Sequence, residues 1–208
     1  MNPIDQILES KIVAIVRLDT YDRAIDVAQA LVAGGINVLE FTLTGRGAIE
    51  AISAVRGALG DAACVGVGTV LQQEEAAAAI DAGAQFVVTP ALRKPVIAAC
   101  VNRNILALSG GFTPTELLEA HEAGAALVKL FPARQGGPNY LKDVLAPLPF
   151  LKIVPTGGVS TANARDFLAA GAVALGIGGN LIAKPVVAAG AFDQITAAAR
   201  EYVAAVQG

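Results

Sequence analysis

The chain of 208 residues contains no tryptophan, three tyrosines, seven phenylalanines, one methionine, one histidine and two cysteines. Aromatics are 5% of residues against 54% hydrophobic, so the core has to be built from Ala, Val, Ile and Leu. That mixture suits parallel strands buried on both faces beneath alanine-rich helices. Cys64 and Cys100 are widely spaced, there is no CxxC, and His121 is the one imidazole. This argues against a disulfide framework and against a His/Cys metal site, so neither metal nor cofactor is expected. His121 itself, beside Glu122 in a helical stretch, reads as a surface residue. Positive charge is also scarce. A net charge of -3 speaks against a nucleic-acid surface but leaves room for small anionic metabolites, because a local site can be positive on an acidic protein. The longest uncharged stretch, Phe167 to Ala183, holds four glycines and an asparagine and is shorter than the roughly 20 apolar residues of a membrane span. Met1-Asn2-Pro3-Ile4-Asp5 has no basic lead or apolar core of a signal peptide. The expectation is a soluble, cytoplasmic protein with no membrane partner.

What is present is repetition. A short helix over Pro3 to Ser10 precedes the apolar run Ile12 to Val16. Asp19 or Thr20 is placed to cap a helix running to Ala33, which Gly34-Gly35 ends. The module recurs: strand Val38 to Leu43 and helix Gly47 to Leu59; Cys64 to Val67 and Gln72 to Ala82; Phe86 to Val88 and Lys94 to Asn102; Ile105 to Leu108 and Pro114 to Ala123. Then come the run beginning Leu127-Val128-Lys129-Leu130, with a helix over Pro138 to Ala146; Ile153-Val154, with a helix over Asn163 to Ala170; and Val173 to Gly176. A final helix runs from Phe192 to Val206. The strand centres, near residues 14, 39, 65, 87, 106, 128, 153 and 174, lie 19 to 26 residues apart. Strands alternating with helices at that interval imply right-handed βαβ units and a parallel sheet, and eight of them predict an α/β fold closed as a (β/α)8 TIM barrel. An open doubly wound sheet fits less well, since no GxGxxG follows the first strand. No linker divides the chain, so residues 1–208 read as one barrel domain.

In such a barrel the chemistry gathers at the carboxyl ends of the strands, and that is where polar residues interrupt the apolar runs: Arg17, Glu40 with Thr42 and Thr44, Thr69, Lys129 and Thr156. Side chains alternate along a strand. Leu39, Phe41 and Leu43 form a wholly apolar face that must meet the helices, which turns Glu40 into the lumen; the same argument sends Lys129 inward with Leu127 and Phe131. A lysine buried there is pushed toward its neutral form and can attack a carbonyl. The other five lysines lie before or at the start of strands (Lys11, Lys152) or in helices and loops (Lys94, Lys142, Lys184). One alternative is a purely structural Lys129–Glu40 ion pair. In the catalytic alternative lysine forms a carbinolamine and then an imine, Glu40 moves protons, and Arg17 holds a substrate carboxylate. Glycines in Thr156-Gly157-Gly158 and Gly178-Gly179-Asn180, after the seventh and eighth strands, let backbone N–H groups approach an anion, with the following helices adding their positive ends. Gly110 to Pro114 reads as a further turn beside the lysine strand, and Arg46 and Arg134 as solvated loop residues.

With these residues in place the chain resembles the 2-keto-3-deoxy-6-phosphogluconate / 4-hydroxy-2-oxoglutarate aldolase family, the class I aldolases that work through a lysine Schiff base. The resemblance rests on Ile15-Val16-Arg17, Gly34-Gly35-Ile36, Glu40-Phe41-Thr42-Leu43, Gly66-Val67-Gly68-Thr69-Val70, Thr113-Pro114-Thr115-Glu116, Lys129-Leu130-Phe131-Pro132-Ala133, Pro155-Thr156-Gly157-Gly158-Val159 and Gly178-Gly179. It implies a homotrimeric barrel without metal that reversibly cleaves a 2-keto-4-hydroxy acid to pyruvate and an aldehyde. It further implies that Lys129 forms the imine, Glu40 moves protons, and Arg17, Thr69, Pro90 and Phe131 surround the pyruvate part. Thr156, Gly157, Gly158, Gly178, Gly179 and Asn180 would take a distal phosphate. Three positions depart from the family pattern: Thr44 stands where arginine is frequent, Ser109-Gly110 replaces Pro-Gly, and Asn180 replaces a serine whose place its amide can fill as a donor. The reading that follows is cleavage of 2-keto-3-deoxy-6-phosphogluconate to pyruvate and glyceraldehyde 3-phosphate. The alternatives are 4-hydroxy-2-oxoglutarate or the phosphogalactonate epimer as substrate, or a non-catalytic sugar-phosphate binder.

Overall fold

A computed structural model describes residues 2–207. Helix α1 (Pro3–Ser10) leads into eight strands, β1 (Ile12–Val16), β2 (Val38–Thr42), β3 (Cys64–Gly68), β4 (Phe86–Val88), β5 (Leu106–Gly111), β6 (Leu127–Leu130), β7 (Ile153–Pro155) and β8 (Leu175–Ile177). Between them run α2 (Ala24–Ala33), α3 (Ala48–Leu59), α4 (Gln73–Asp81), α5 (Lys94–Asn102), α6 (Pro114–Glu122), α7 (Gly137–Leu145) and α8 (Ala164–Ala169), and α9 (Lys184–Ala188) and α10 (Phe192–Gln207) follow β8. The strands pair in parallel in chain order, with β8 returning to β1. A bridge between Thr156 and Gly176, and the Val173 N–H donating to the Ile153 carbonyl at 3.0 Å, join β7 to β8. The result is a (β/α)8 TIM barrel. None of its helices is long and apolar enough to cross a membrane, among the described residues.

The two faces of each strand part company as alternation requires. Ile12, Ala14, Val16, Leu39, Phe41, Val65 and Val67 pack outward with the helices. Val13, Val38, Cys64, Phe86, Leu108, Leu127 and Val154 meet one another in the lower lumen. Helix α1 closes the base of this inner layer: Asn2 caps it by accepting from the Ile4 N–H, Pro3 opens it, and Ile7 is fully buried in the lumen cluster. Apolar side chains therefore fill the lower barrel, and the polar ones lie above them.

Two local expectations fail for tertiary reasons. The helix after β1 begins at Ala24, not after Asp19 or Thr20, and its N-cap Arg23 makes no side-chain capping bond. Asp19 is engaged by Lys184 and Thr20 bridges to Arg46. The Tyr21 hydroxyl lies 2.9 Å from the Val16 carbonyl and 2.7 Å from that of Thr42, and accepts from the Thr42 N–H at 3.1 Å, clamping the ends of β1 and β2. Second, Gly110 and Gly111 continue β5 and do not turn. A side chain at Gly110 would overlap the backbone of Pro90, so glycine is what lets β5 run on past the loop after β4.

Closure of the base by one residue is testable. Ile7→Ala is expected to lower unfolding free energy by about 2–5 kcal/mol, the range for a fully buried aliphatic truncated in a core. In urea titration the midpoint should fall with an unchanged slope. A loss below about 0.5 kcal/mol, the scale of an ordinary surface substitution, would mean the lumen does not depend on this plug.

Candidate active site

Lys129 lies in β6 between Gly110 of β5 and Val154 of β7, two residues beyond Leu127, which fills the lower lumen. Glu40 lies in β2 between Ile15 of β1 and Gly66 of β3, two residues beyond the equally inward Val38. Both therefore enter the barrel one layer above its apolar base, and they are only 2% and 1% exposed. Room for them comes from missing side chains. A methyl at Gly68 would overlap Glu40 Oε1, one at Gly66 would meet the Phe86 ring, and one at Gly176 would overlap the Thr156 hydroxyl.

Burial acts on the two groups in opposite directions. Removal from water raises the Glu40 carboxyl above its ordinary value, against the pull of the Lys129 and Arg17 charges. The same desolvation lowers the Lys129 amine; the Glu40 charge opposes this and Arg17 reinforces it. No Lys129–Glu40 contact reaches the 4.0 Å of a salt bridge, the pairs that do form lie at the surface, and Glu40 Oε1 has no hydrogen-bond partner. The ion-pair reading thus lacks its bond. Burial favours a neutral amine facing a protonated carboxyl, that is, a nucleophile with a proton donor beside it. The ring of Phe131, next inward on the lysine strand, lies 5.2 Å from Nζ.

Above this pair opens a cavity of about 750 Å³ bounded by the ends of β1, β6, β7 and β8. Arg17, Phe131, Thr156, Gly157, Gly158, Gly178, Gly179 and Asn180 all line it. Lys129 and Glu40 lie beneath it and are not part of its wall. Gly157 and Gly158 have φ of 85° and 93°, and their loop is pinned by Ala133 and Arg134, whose N–H groups donate to the carbonyls of Thr156 and Gly157 at 2.8 Å. Among the described residues, the N–H groups of Gly157, Gly158, Gly179 and Asn180 donate to no protein acceptor. Asn180 Nδ2 donates to the Val159 carbonyl at 3.2 Å, tying the two glycine loops together. Helix ends contribute less than expected, because α8 and α9 have only six and five residues.

Thr69 and Pro90 stand apart, at the ends of β3 and β4 and outside this wall. Thr69 holds φ of 60°, an uncommon backbone for a β-branched residue and one that marks functional strain often enough to notice. Beside Pro90, Thr89 Oγ1 donates to the Ala91 carbonyl at 2.7 Å, accepts from the Gly110 N–H at 3.0 Å and lies 3.2 Å from the Ser109 hydroxyl. The serine at this departure from the family pattern is therefore partnered. Sequence reasoning set aside two cations that the fold brings to the cavity, Arg134 and Lys184. Arg134 follows the Lys-Leu-Phe-Pro run closely, and Lys184 immediately precedes a helix-opening proline just beyond the last glycine loop; both were signals of proximity.

The family model described as KDPG and KHG aldolase matches residues 4–198. The KHG/KDPG aldolase of Escherichia coli is 39% identical over 194 residues, 92% of this chain and 90% of the relative. The 2-dehydro-3-deoxy-phosphogluconate aldolase of Dickeya dadantii is 38% identical over 203 residues, covering 96% and 94%. A solved structure of KDPG aldolase from Legionella pneumophila, with pyruvate captured at low pH as a covalent carbinolamine intermediate, superposes with a TM-score of 0.88 at 28% identity, covering 96% and 97%.

Two outcomes follow from the geometry. Gly68→Ala is expected to displace Glu40 and to destabilise the fold by about 1–3 kcal/mol, as overpacking of a filled interior does; a variant as stable as the parent would show the carboxylate is free to move. Because Lys129 is held below 10.5, the unfolded chain binds more protons there, so this group's penalty is full at low pH and is relieved as pH rises toward 10.5. The stability advantage of Lys129→Met over the parent should therefore shrink between neutral pH and pH 10.5. An advantage that is constant or grows would contradict a depressed amine.

Proposed function

From the premise that this chain belongs to the KDPG and KHG aldolase family, we propose that it cleaves 2-keto-3-deoxy-6-phosphogluconate reversibly to pyruvate and glyceraldehyde 3-phosphate, with Lys129 as nucleophile. The observation that carries the reading is the burial of Lys129 and Glu40 in one lumen, with Glu40 Oε1 lacking a partner among the described residues; desolvation there lowers the amine. The neutral amine adds to the 2-keto carbon to give a carbinolamine. Glu40 protonates the departing hydroxyl, water leaves, and an iminium remains as electron sink. Glu40, now a carboxylate, takes the proton from the 4-hydroxyl as the C3–C4 bond breaks and the aldehyde departs. The enamine left behind is protonated at C3, and hydrolysis of the resulting iminium releases pyruvate and regenerates the amine.

Arg17, which lines the cavity with Phe131, suits the pyruvate carboxylate; the assignment of Thr69 and Pro90 to the pyruvate part rests on family likeness. The free N–H groups of the two glycine loops, with Thr156 and Asn180, suit the distal phosphate. Three cations and no carboxylate in the cavity wall support a phosphorylated substrate over 4-hydroxy-2-oxoglutarate. Operation as a cytoplasmic homotrimer belongs to the same reading and rests on family likeness.

Incubation with pyruvate followed by borohydride should add a pyruvate-derived mass at Lys129. Lys129→Ala should fold, lose cleavage almost entirely and take no adduct, whereas retained turnover would overturn the mechanism. Glu40→Gln should slow cleavage by a factor on the order of 100 to 10,000, the range of general acid–base catalysis; an unchanged rate would remove Glu40 from the proposal.

A further inference from the structure

One contact at the cavity mouth is not absorbed by this chemistry. Lys184 Nζ meets Asp19 Oδ1 at 2.5 Å, joining the chain just after β8 to the loop after β1 across 165 positions. The side chains are 52% and 81% exposed, and an exposed pair of this kind contributes only about 0–1 kcal/mol. It can be exchanged at little cost. Lys184 also lines the cavity, on the same wall as Gly179 and Asn180. Arg134 stands by the other glycine loop, with its stem so close that a methyl at Gly158 would lie 2.5 Å from its Cβ. Asp19 is thus an acidic partner just outside a wall that itself carries Arg17, Arg134 and Lys184 and no carboxylate.

We propose that Lys184 is a specificity residue that leaves Asp19 to bind the distal phosphate of the substrate, and that its ammonium favours dianionic over carboxylate-terminated substrates. The inference rests on the aldolase reading. Its physical basis is competition for one ammonium. A distal carboxylate carries the same charge as Asp19 and gains little by displacing it. A phosphate monoester carries close to two negative charges above its second pKa of about 6 and offers three acceptor oxygens, so it outcompetes Asp19 while the backbone N–H groups of the glycine loops satisfy its remaining oxygens. Leaving Asp19 costs the same whichever anion enters, so the preference comes from the stronger attraction of Lys184 for the dianion.

The test compares kcat and KM for 2-keto-3-deoxy-6-phosphogluconate and for 4-hydroxy-2-oxoglutarate in the parent, Lys184→Gln, Lys184→Arg and Asp19→Asn. In Lys184→Gln, KM for the phosphorylated substrate should rise about tenfold, the scale of one charge-assisted hydrogen bond in a partly open site. Its kcat should change less than the KM, and the kcat/KM preference for phosphate over carboxylate should fall by about the same factor. Lys184→Arg should restore most of that preference. Asp19→Asn, which leaves the ammonium without a competitor, should lower KM for the phosphorylated substrate and leave the preference for phosphate over carboxylate no smaller than in the parent. The Lys184→Gln effect should also diminish from pH 8 to pH 5.5, as the phosphate gains a proton near its pKa of about 6. A preference unchanged in Lys184→Gln, with borohydride still trapping pyruvate at Lys129, would overturn this inference and leave the aldolase reading standing. Absence of trapping in the parent would overturn the reading beneath it.

Discussion

The structure depends on one electrostatic constraint, the desolvation of an amine and a carboxyl inside the same barrel. Neither Lys129 nor Glu40 is held by an ion pair, and Glu40 Oε1 has no partner. Water would supply what the protein withholds, so both shifts depend on the burial of the two groups. The layer of Val13, Val38, Phe86, Leu127 and Val154 below it, stoppered by Ile7, excludes water from the base. The Phe131 ring lies 5.2 Å from the Lys129 amine and lines the cavity above it. The glycines at 66, 68 and 176 then provide room, since each position with a side chain would collide with a neighbour in the lumen.

The barrel thereby divides its work along the axis. Apolar packing at the base supplies stability, and the mouth concentrates positive charge on a protein whose net charge is -3. Arg17 belongs to both levels: it lines the cavity and acts on both buried groups, lowering the Glu40 carboxyl and the Lys129 amine together. The first effect brings the carboxyl nearer its ionised form and the second brings the amine nearer its neutral one. The Tyr21 clamp on the ends of β1 and β2 fixes the spacing between the strands that carry Arg17 and Glu40.

Much of this was legible in local sequence because strand alternation has a period of two. Val38-Leu39-Glu40-Phe41 and Leu127-Val128-Lys129-Leu130 each have one reading that sets a wholly apolar face, Leu39 with Phe41 and Val128 with Leu130, against the helices, and the two clusters follow it. What was not legible depends on register and distance. The need for glycine at 68 arises because Thr42 pairs with Gly68, which brings Glu40 across it; no local pattern carries that. Asp19 and Thr20 have the side chains of helix caps, yet residues far along the chain, Lys184 and Arg46, claim them. Gly110-Gly111 has turn composition, but the nearness of Pro90 makes it strand. Arg134 reads as a solvated loop residue and Lys184 as one more helix or loop lysine, because only the fold brings their segments to one cavity.

The central claim is that desolvation lowers the Lys129 amine below its ordinary value. Direct titration of its ε-carbon resonance by NMR, in protein labelled at lysine and assigned with Lys129→Met, tests this without reference to turnover. The account predicts a midpoint displaced downward from 10.5, while the five other lysines serve as internal comparison. A midpoint at or above 10.5 would contradict it.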